Sequence, residues 1–132
     1  MKHFLIKFNH GVEIGAHLAY VGHYKRTGDK QIRLIASEEV SHMVELERIL
    51  EDLGERPNKY IDETFRFIGN TIRRLCSFCP LWSLNFVAST MEMFAIFNYN
   101  RLAYNYPQFR GEFEKMAKTE KEHEKYFSTV SK

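Results

Sequence analysis

The chain has 132 residues, of which 44% are hydrophobic, 14% aromatic and 27% charged, and its formal net charge is +2. That is one domain's length, enough to bury a core without disulfides or a structural metal as a precondition of folding. So small a charge, with no basic stripe interleaved with stacking aromatics, sets nucleic acid aside as a partner.

Gly28, Gly54, Pro57, Pro80 and Pro107 punctuate the chain, and no segment between them alternates in the β manner. The expected elements are helices near 5–27, 29–53, 58–78, 80–105 and 107–130, joined by connections short enough to make most neighbours antiparallel. The opening "MKHFLIKFNH" holds too short an apolar stretch for a signal peptide, and no apolar run of about 18 residues follows. A soluble protein of the cytoplasm, attached at most to the inner face of a membrane, is the expectation.

In the first helix Ile6, Glu13 and Tyr20 recur at intervals of seven and so share one face. Asp29 stands where it can cap the second helix. There Ile32, Ile35, Leu46, Ile49 and Leu53 form an apolar stripe whose two central positions are Glu39 and His42. The third segment, "FRFIGNTIRRLCSFCPLW", interleaves aromatic and aliphatic residues with Arg66, Arg73 and Arg74. Residues 60–82 are expected either to contact a membrane surface, with arginines at the headgroups, or to close the open side of a bundle or a dimer interface. Cys76 and Cys79 form a single C-x-x-C, too few for a four-cysteine zinc site or a disulfide framework, and are expected to pack as small apolar residues in a reducing compartment. The fourth helix places Ala88, Glu92, Ala95, Tyr99 and Leu102 on one stripe. The fifth places Phe109, Phe113, Met116, Phe127 and Val130 on another, with Glu120 and His123 in its middle.

Each of four helices therefore turns one glutamate inward, and two of them add a histidine three residues later. An ionised carboxylate buried alone would protonate rather than bear its desolvation, and four in one core would defeat folding. Two divalent ions balance four carboxylates, and two imidazoles complete the donor set. One glutamate from each of two helices plus Glu-x-x-His from each of two others is the ligand pattern of ferritin-like di-iron and di-manganese proteins. The expected set is Glu13, Glu39, His42, Glu92, Glu120 and His123. Glu13 precedes Glu39 by 26 residues and Glu92 precedes Glu120 by 28, so two helical hairpins of matched length would bring the ligands to one height. A single Glu-x-x-His is usually surface; two, each centred on an apolar stripe, are not. The expected fold is all-α, a ferritin-like antiparallel four-helix bundle in a single domain, with an additional amphipathic helix between the two hairpins. Glu38, Glu45, Glu47, Glu122 and Glu124 fall mostly off the stripes, and His17, one turn after Glu13, is expected to hydrogen-bond rather than ligate.

The stretch "NHGVEIGAHLAY", Asn9 to Tyr20, resembles the Asn-His-x-x-Glu-x-Gly-Ala opening of the demethoxyubiquinone hydroxylase family. The likeness continues through "EEVSHM", "LGERP" and "MEMFAIFNYNRL", where Tyr99 follows Glu92 by seven residues; Val12 stands where the family has glycine. The resemblance implies a membrane-peripheral monooxygenase of ubiquinone biosynthesis that uses two iron ions, O₂ and an external reductant to hydroxylate an apolar, quinone-like substrate. It also implies Tyr20 and Tyr99 as residues within the bundle that line the pocket or move electrons. Manganese or a mixed metal pair suits the same ligands. The alternative is ferritin- or rubrerythrin-like iron oxidation or peroxide scavenging, which shares ligands and fold. A homodimer or small oligomer accords with either.

Overall fold

The computed structural model describes residues 1–130. Five α-helices follow one another as α1 (Phe4–Thr27), α2 (Lys30–Asp52), α3 (Lys59–Leu75), α4 (Leu81–Asn105) and α5 (Arg110–Val130), with one 3-10 turn at Pro107–Phe109. The described residues are thus all-α. None of these helices is long and apolar enough to cross a membrane.

The helix ends follow from local chemistry. Gly28 closes α1 in the left-handed region at φ 69°, where a side chain would be strained, and its N–H bonds the Tyr24 carbonyl at 2.7 Å. Asp29 caps α2 as expected, its carboxylate accepting from the Gln31 N–H at 2.8 Å. At the other end of α2, Gly54 takes φ 73°. The N–H of Glu55 then reaches the Leu50 carbonyl and that of Gly54 the Glu51 carbonyl, the paired bonds of a Schellman stop. Asn58 caps α3 through the Ile61 N–H at 3.0 Å. Two boundaries differ from the sequence expectation. α3 ends at Leu75, and the chain turns there with the Phe78 N–H bonded to the Leu75 carbonyl. Pro107 opens a 3-10 turn instead of the last α-helix itself, because Tyr106 before it is non-helical at φ −126° and the chain needs a tight turn to enter α5.

The chain divides into two compact units, Met1–Phe78 and a second from Cys79 onward. In the first, α1 packs against both α2 and α3. His10 meets Glu47 and His17 meets Ala36, and Lys7 meets Glu55 just past the end of α2, so numbers rise on α1 as they fall on α2 and the pair is antiparallel. Against α3 the order rises on both helices, Gly11 with Ile61, Gly15 with Gly69 and Gly22 with Arg73, so these two run parallel. Glycine permits that approach: a Cβ on Gly69 would stand 2.7 Å from the Gly15 carbonyl oxygen, and one on Gly22 would stand 2.7 Å from Cα of Arg73. Ile6, Ile32, Ile35, Leu46, Ile49 and Leu50 are fully buried in this unit.

In the second unit α4 and α5 pack as an antiparallel pair. Tyr99 stacks on Phe113 with ring centroids 6.4 Å apart, and Ser89 donates to Glu124 at 3.0 Å. Tyr99, Leu102, Phe113 and Phe127 are fully buried, whereas Val130, expected on the stripe, is 44% exposed where α5 ends. Side-by-side helix contacts of this kind are those from which helical bundles are built.

Candidate metal centre

Each unit contains a triad of two glutamates and one histidine. In the first, α1 supplies Glu13 and α2 supplies Glu39 and His42. His42 Nδ1 lies 3.7 Å from Glu13 Oε1 and 3.7 Å from Glu39 Oε2. In the second, α4 supplies Glu92 and α5 supplies Glu120 and His123, whose Nδ1 lies 3.7 Å from Glu92 Oε2 and 2.9 Å from Glu120 Oε2. All six expected residues are buried, the four glutamates at no more than 3% exposure.

The helical period accounts for this placement. Glu and His three apart on one helix project from the same face, and the adjacent antiparallel helix lends a second carboxylate at the same height. Each triad offers three ligand atoms within 4.8 Å of one another. Donors held about 2 Å from a shared ion stand about 3–4 Å apart, so the observed separations fit a divalent ion bound by two carboxylates and an imidazole. Buried carboxylate and histidine groups of this kind could hold metal ions.

A further feature accompanies all four glutamates. Each has a buried alanine three positions away on its own helix: Ala16 for Glu13, Ala36 for Glu39, Ala95 for Glu92 and Ala117 for Glu120. A methyl group at the neighbouring turn leaves volume beside the carboxylate that a leucine would fill. Ala16, Ala36 and Ala117 are visible in the sequence but lie outside the stripes read from it, which include only Ala95 of the four.

The remaining expectations resolve residue by residue. Tyr20 and Tyr99 are buried on the same faces as Glu13 and Glu92. The ring nitrogen Nδ1 of His17 donates to the Ala36 carbonyl at 2.8 Å, a hydrogen-bonding role as the sequence suggested. Glu122 is exposed and Glu38 and Glu124 are half-buried, while Glu45 pairs with Arg48 at 2.7 Å. Cys76 is buried with its thiol 3.8 Å from the Ala19 carbonyl, and Cys79 is half-buried.

One constellation escapes the sequence reading. His10 is buried on α1 with Nδ1 2.9 Å from Asp62 of α3 and Nε2 2.8 Å from Glu47 of α2. Both ring nitrogens face carboxylate oxygens at hydrogen-bond distance, so the ring links α1 to both α2 and α3. Beside it opens a cavity of about 420 Å³ lined by Ile14, His17, Val40, Met43 and Arg66. Nothing local marks Asp62 or Glu47 as partners of His10, since they lie 52 and 37 residues away. Compared with known proteins, the chain matches no family model, no curated protein and no solved structure.

Proposed function

We propose that the two triads supply the ligands of two iron ions and that the chain is a di-iron monooxygenase of the demethoxyubiquinone hydroxylase type. The observation that carries this reading is the duplicated triad, two buried glutamates and one buried histidine in each unit. Four carboxylates buried to within 3% of full burial call for about four positive charges, and two divalent ions supply them. On this reading α1, α2, α4 and α5 are the four helices of a ferritin-like bundle, and α3 is the crossover that carries the chain from one hairpin to the next.

Glu13, Glu39 and His42 would ligate iron in the first unit, and Glu92, Glu120 and His123 in the second. Bound iron would supply activation of O₂ and transfer of one oxygen atom to the substrate, with electrons from an external reductant. The chain's own work is ligation, exclusion of water and placement of the substrate. Tyr20 and Tyr99 each follow a glutamate by two turns on a buried face, where they would line the pocket or move electrons. Tyr60, Phe67 and Ile68 are exposed on α3, and we assign them to contact with a membrane surface from which a quinone-like substrate enters. Placement at the inner face of a cytoplasmic membrane belongs to the same proposal.

The deciding experiment loads the metal-free chain anaerobically with ferrous iron, adds a demethoxyquinone and a reductant, and then admits isotopically labelled O₂. The expected result is a hydroxylated quinone carrying one labelled oxygen. Ferric mineral or peroxide turnover without that product would move the assignment to a ferritin- or rubrerythrin-like activity, which the same ligands support.

A further inference from the structure

α4 carries two stripes on opposite sides. The first, Ala88, Glu92, Ala95, Tyr99 and Leu102, is buried. The second runs through Phe86, Thr90, Met93, Phe97, Asn100 and Tyr104, and all six are exposed. Its four large members are open to solvent at 65% for Phe86, 61% for Met93, 62% for Phe97 and 80% for Tyr104. Single exposed apolar residues are ordinary, but a row of four large aromatic and apolar side chains along most of a helix marks an interaction surface.

The spacing says what kind of partner fits. The six positions follow at alternating steps of four and three, a repeat near 3.5 residues, which keeps one seam of a helix against another helix. A helix lying on lipid carries lysine and arginine along its polar face. α4 has Arg101 and no lysine, so the row is not built for an anionic surface.

The steps also read the same from either end. If two copies of α4 lie antiparallel about a two-fold axis through the exposed row at the level of residue 95, Phe86 faces the partner's Tyr104, Thr90 faces the partner's Asn100 and Met93 faces the partner's Phe97. Aromatic meets aromatic, polar meets polar and apolar meets apolar. That self-complementarity is what a two-fold isologous interface demands, and a foreign partner would have no reason to impose it. With Trp82 and Phe94 at the edges, the exposed apolar area is on the order of 700 Å² per copy, close to the ~800 Å² that a standard stable interface takes from each partner.

We propose that α4 pairs with α4 of a second copy of this chain in an antiparallel two-fold dimer. The proposal is independent of what the metal centre does. Sedimentation velocity of the full chain at roughly 50 µM, above the micromolar range that interfaces of this size reach, is expected to give the mass of two chains. Phe97→Glu is expected to give one chain with unchanged helical circular dichroism. Phe86→Lys and Tyr104→Glu, made separately, are each expected to weaken the dimer by about tenfold or more. Combined in one chain they should recover most of that loss, because position 86 then meets the partner's position 104 with opposite charge.

A wild-type chain that stays single at that concentration overturns the proposal, as does a Phe97→Glu variant that keeps the two-chain mass. So does a double variant no better than its parents, and that comparison still decides the matter if Phe97→Glu fails to fold. A single-chain protein that co-sediments with phosphatidylcholine vesicles and loses this with Phe97→Glu would give the row to lipid instead.

Discussion

Nδ1 of His42 on α2 lies 3.7 Å from Oε1 of Glu13 on α1, and His123 of α5 stands at the same 3.7 Å from Oε2 of Glu92 on α4. The same donor pair is built twice, each time from a Glu-x-x-His helix and an antiparallel neighbour that brings one glutamate. Expected outcomes for the centre and its supports follow from that repetition.

Glu92→Ala removes one carboxylate from the second triad and should abolish stoichiometric loading of two metals per chain. Retention of two irons with unchanged optical spectra would sink the ligand assignment. Loading should also stabilise the fold, because ions bound to the native state alone add about 4 kcal/mol each at a thousandfold excess over their dissociation constant. A thermal midpoint that does not fall on exhaustive chelation would count against buried metal.

Gly69→Ala should cost about 1–3 kcal/mol in urea unfolding, since the added methyl meets the Gly15 backbone at 2.7 and 2.8 Å and backbone cannot step aside as a side chain can. Gly111→Ala is the control. A Cβ there meets nothing within 4 Å, so the substitution should stabilise α5 by up to about 1 kcal/mol through reduced freedom of the unfolded chain. Equal effects at the two sites would mean that α1 and α3 do not pack through their glycines.

Glu55 accepts from the Lys7 ammonium at 2.8 Å. That hydrogen bond, opposed by partial desolvation and helped by the Lys7 charge, holds its carboxyl below the ordinary carboxylate value of 4.5. A carboxyl depressed in the folded state contributes stability above its unfolded value and loses it as pH falls through the folded one. Urea midpoints of wild type should therefore decline as the medium is acidified below that ordinary value, and Glu55→Gln should flatten that part of the curve. Superimposable acid limbs would show that the pair is not linked to folding.

Tyr99 is fully buried and stacked on Phe113, so Tyr99→Phe keeps the ring and removes only the hydroxyl. The variant should fold and take up metal as wild type does, and so should Tyr20→Phe. In the proposed reaction each should lower the fraction of consumed O₂ that appears in product. Unchanged coupling in both would leave the phenols a packing role alone.

Helix content, the Asp29 cap and the inward position of all six candidate ligands were legible in the sequence, because the 3.6-residue period and the capping chemistry act within a few residues. Glu120 and His123 could be told from Lys121 and Glu122 beside them by angle around the helix, and burial follows that angle. Tertiary structure alone decided the rest. That α3 runs parallel to α1 rests on Gly15 meeting Gly69, a contact between residues 54 positions apart whose only local trace is an absent side chain. That His10 binds Asp62 and Glu47 depends on three helices converging, which no period on one of them encodes. On α4 the sequence marks the Glu92 stripe as the inward one, but that the opposite row of Phe86, Met93, Phe97 and Tyr104 stays open to solvent is decided by packing.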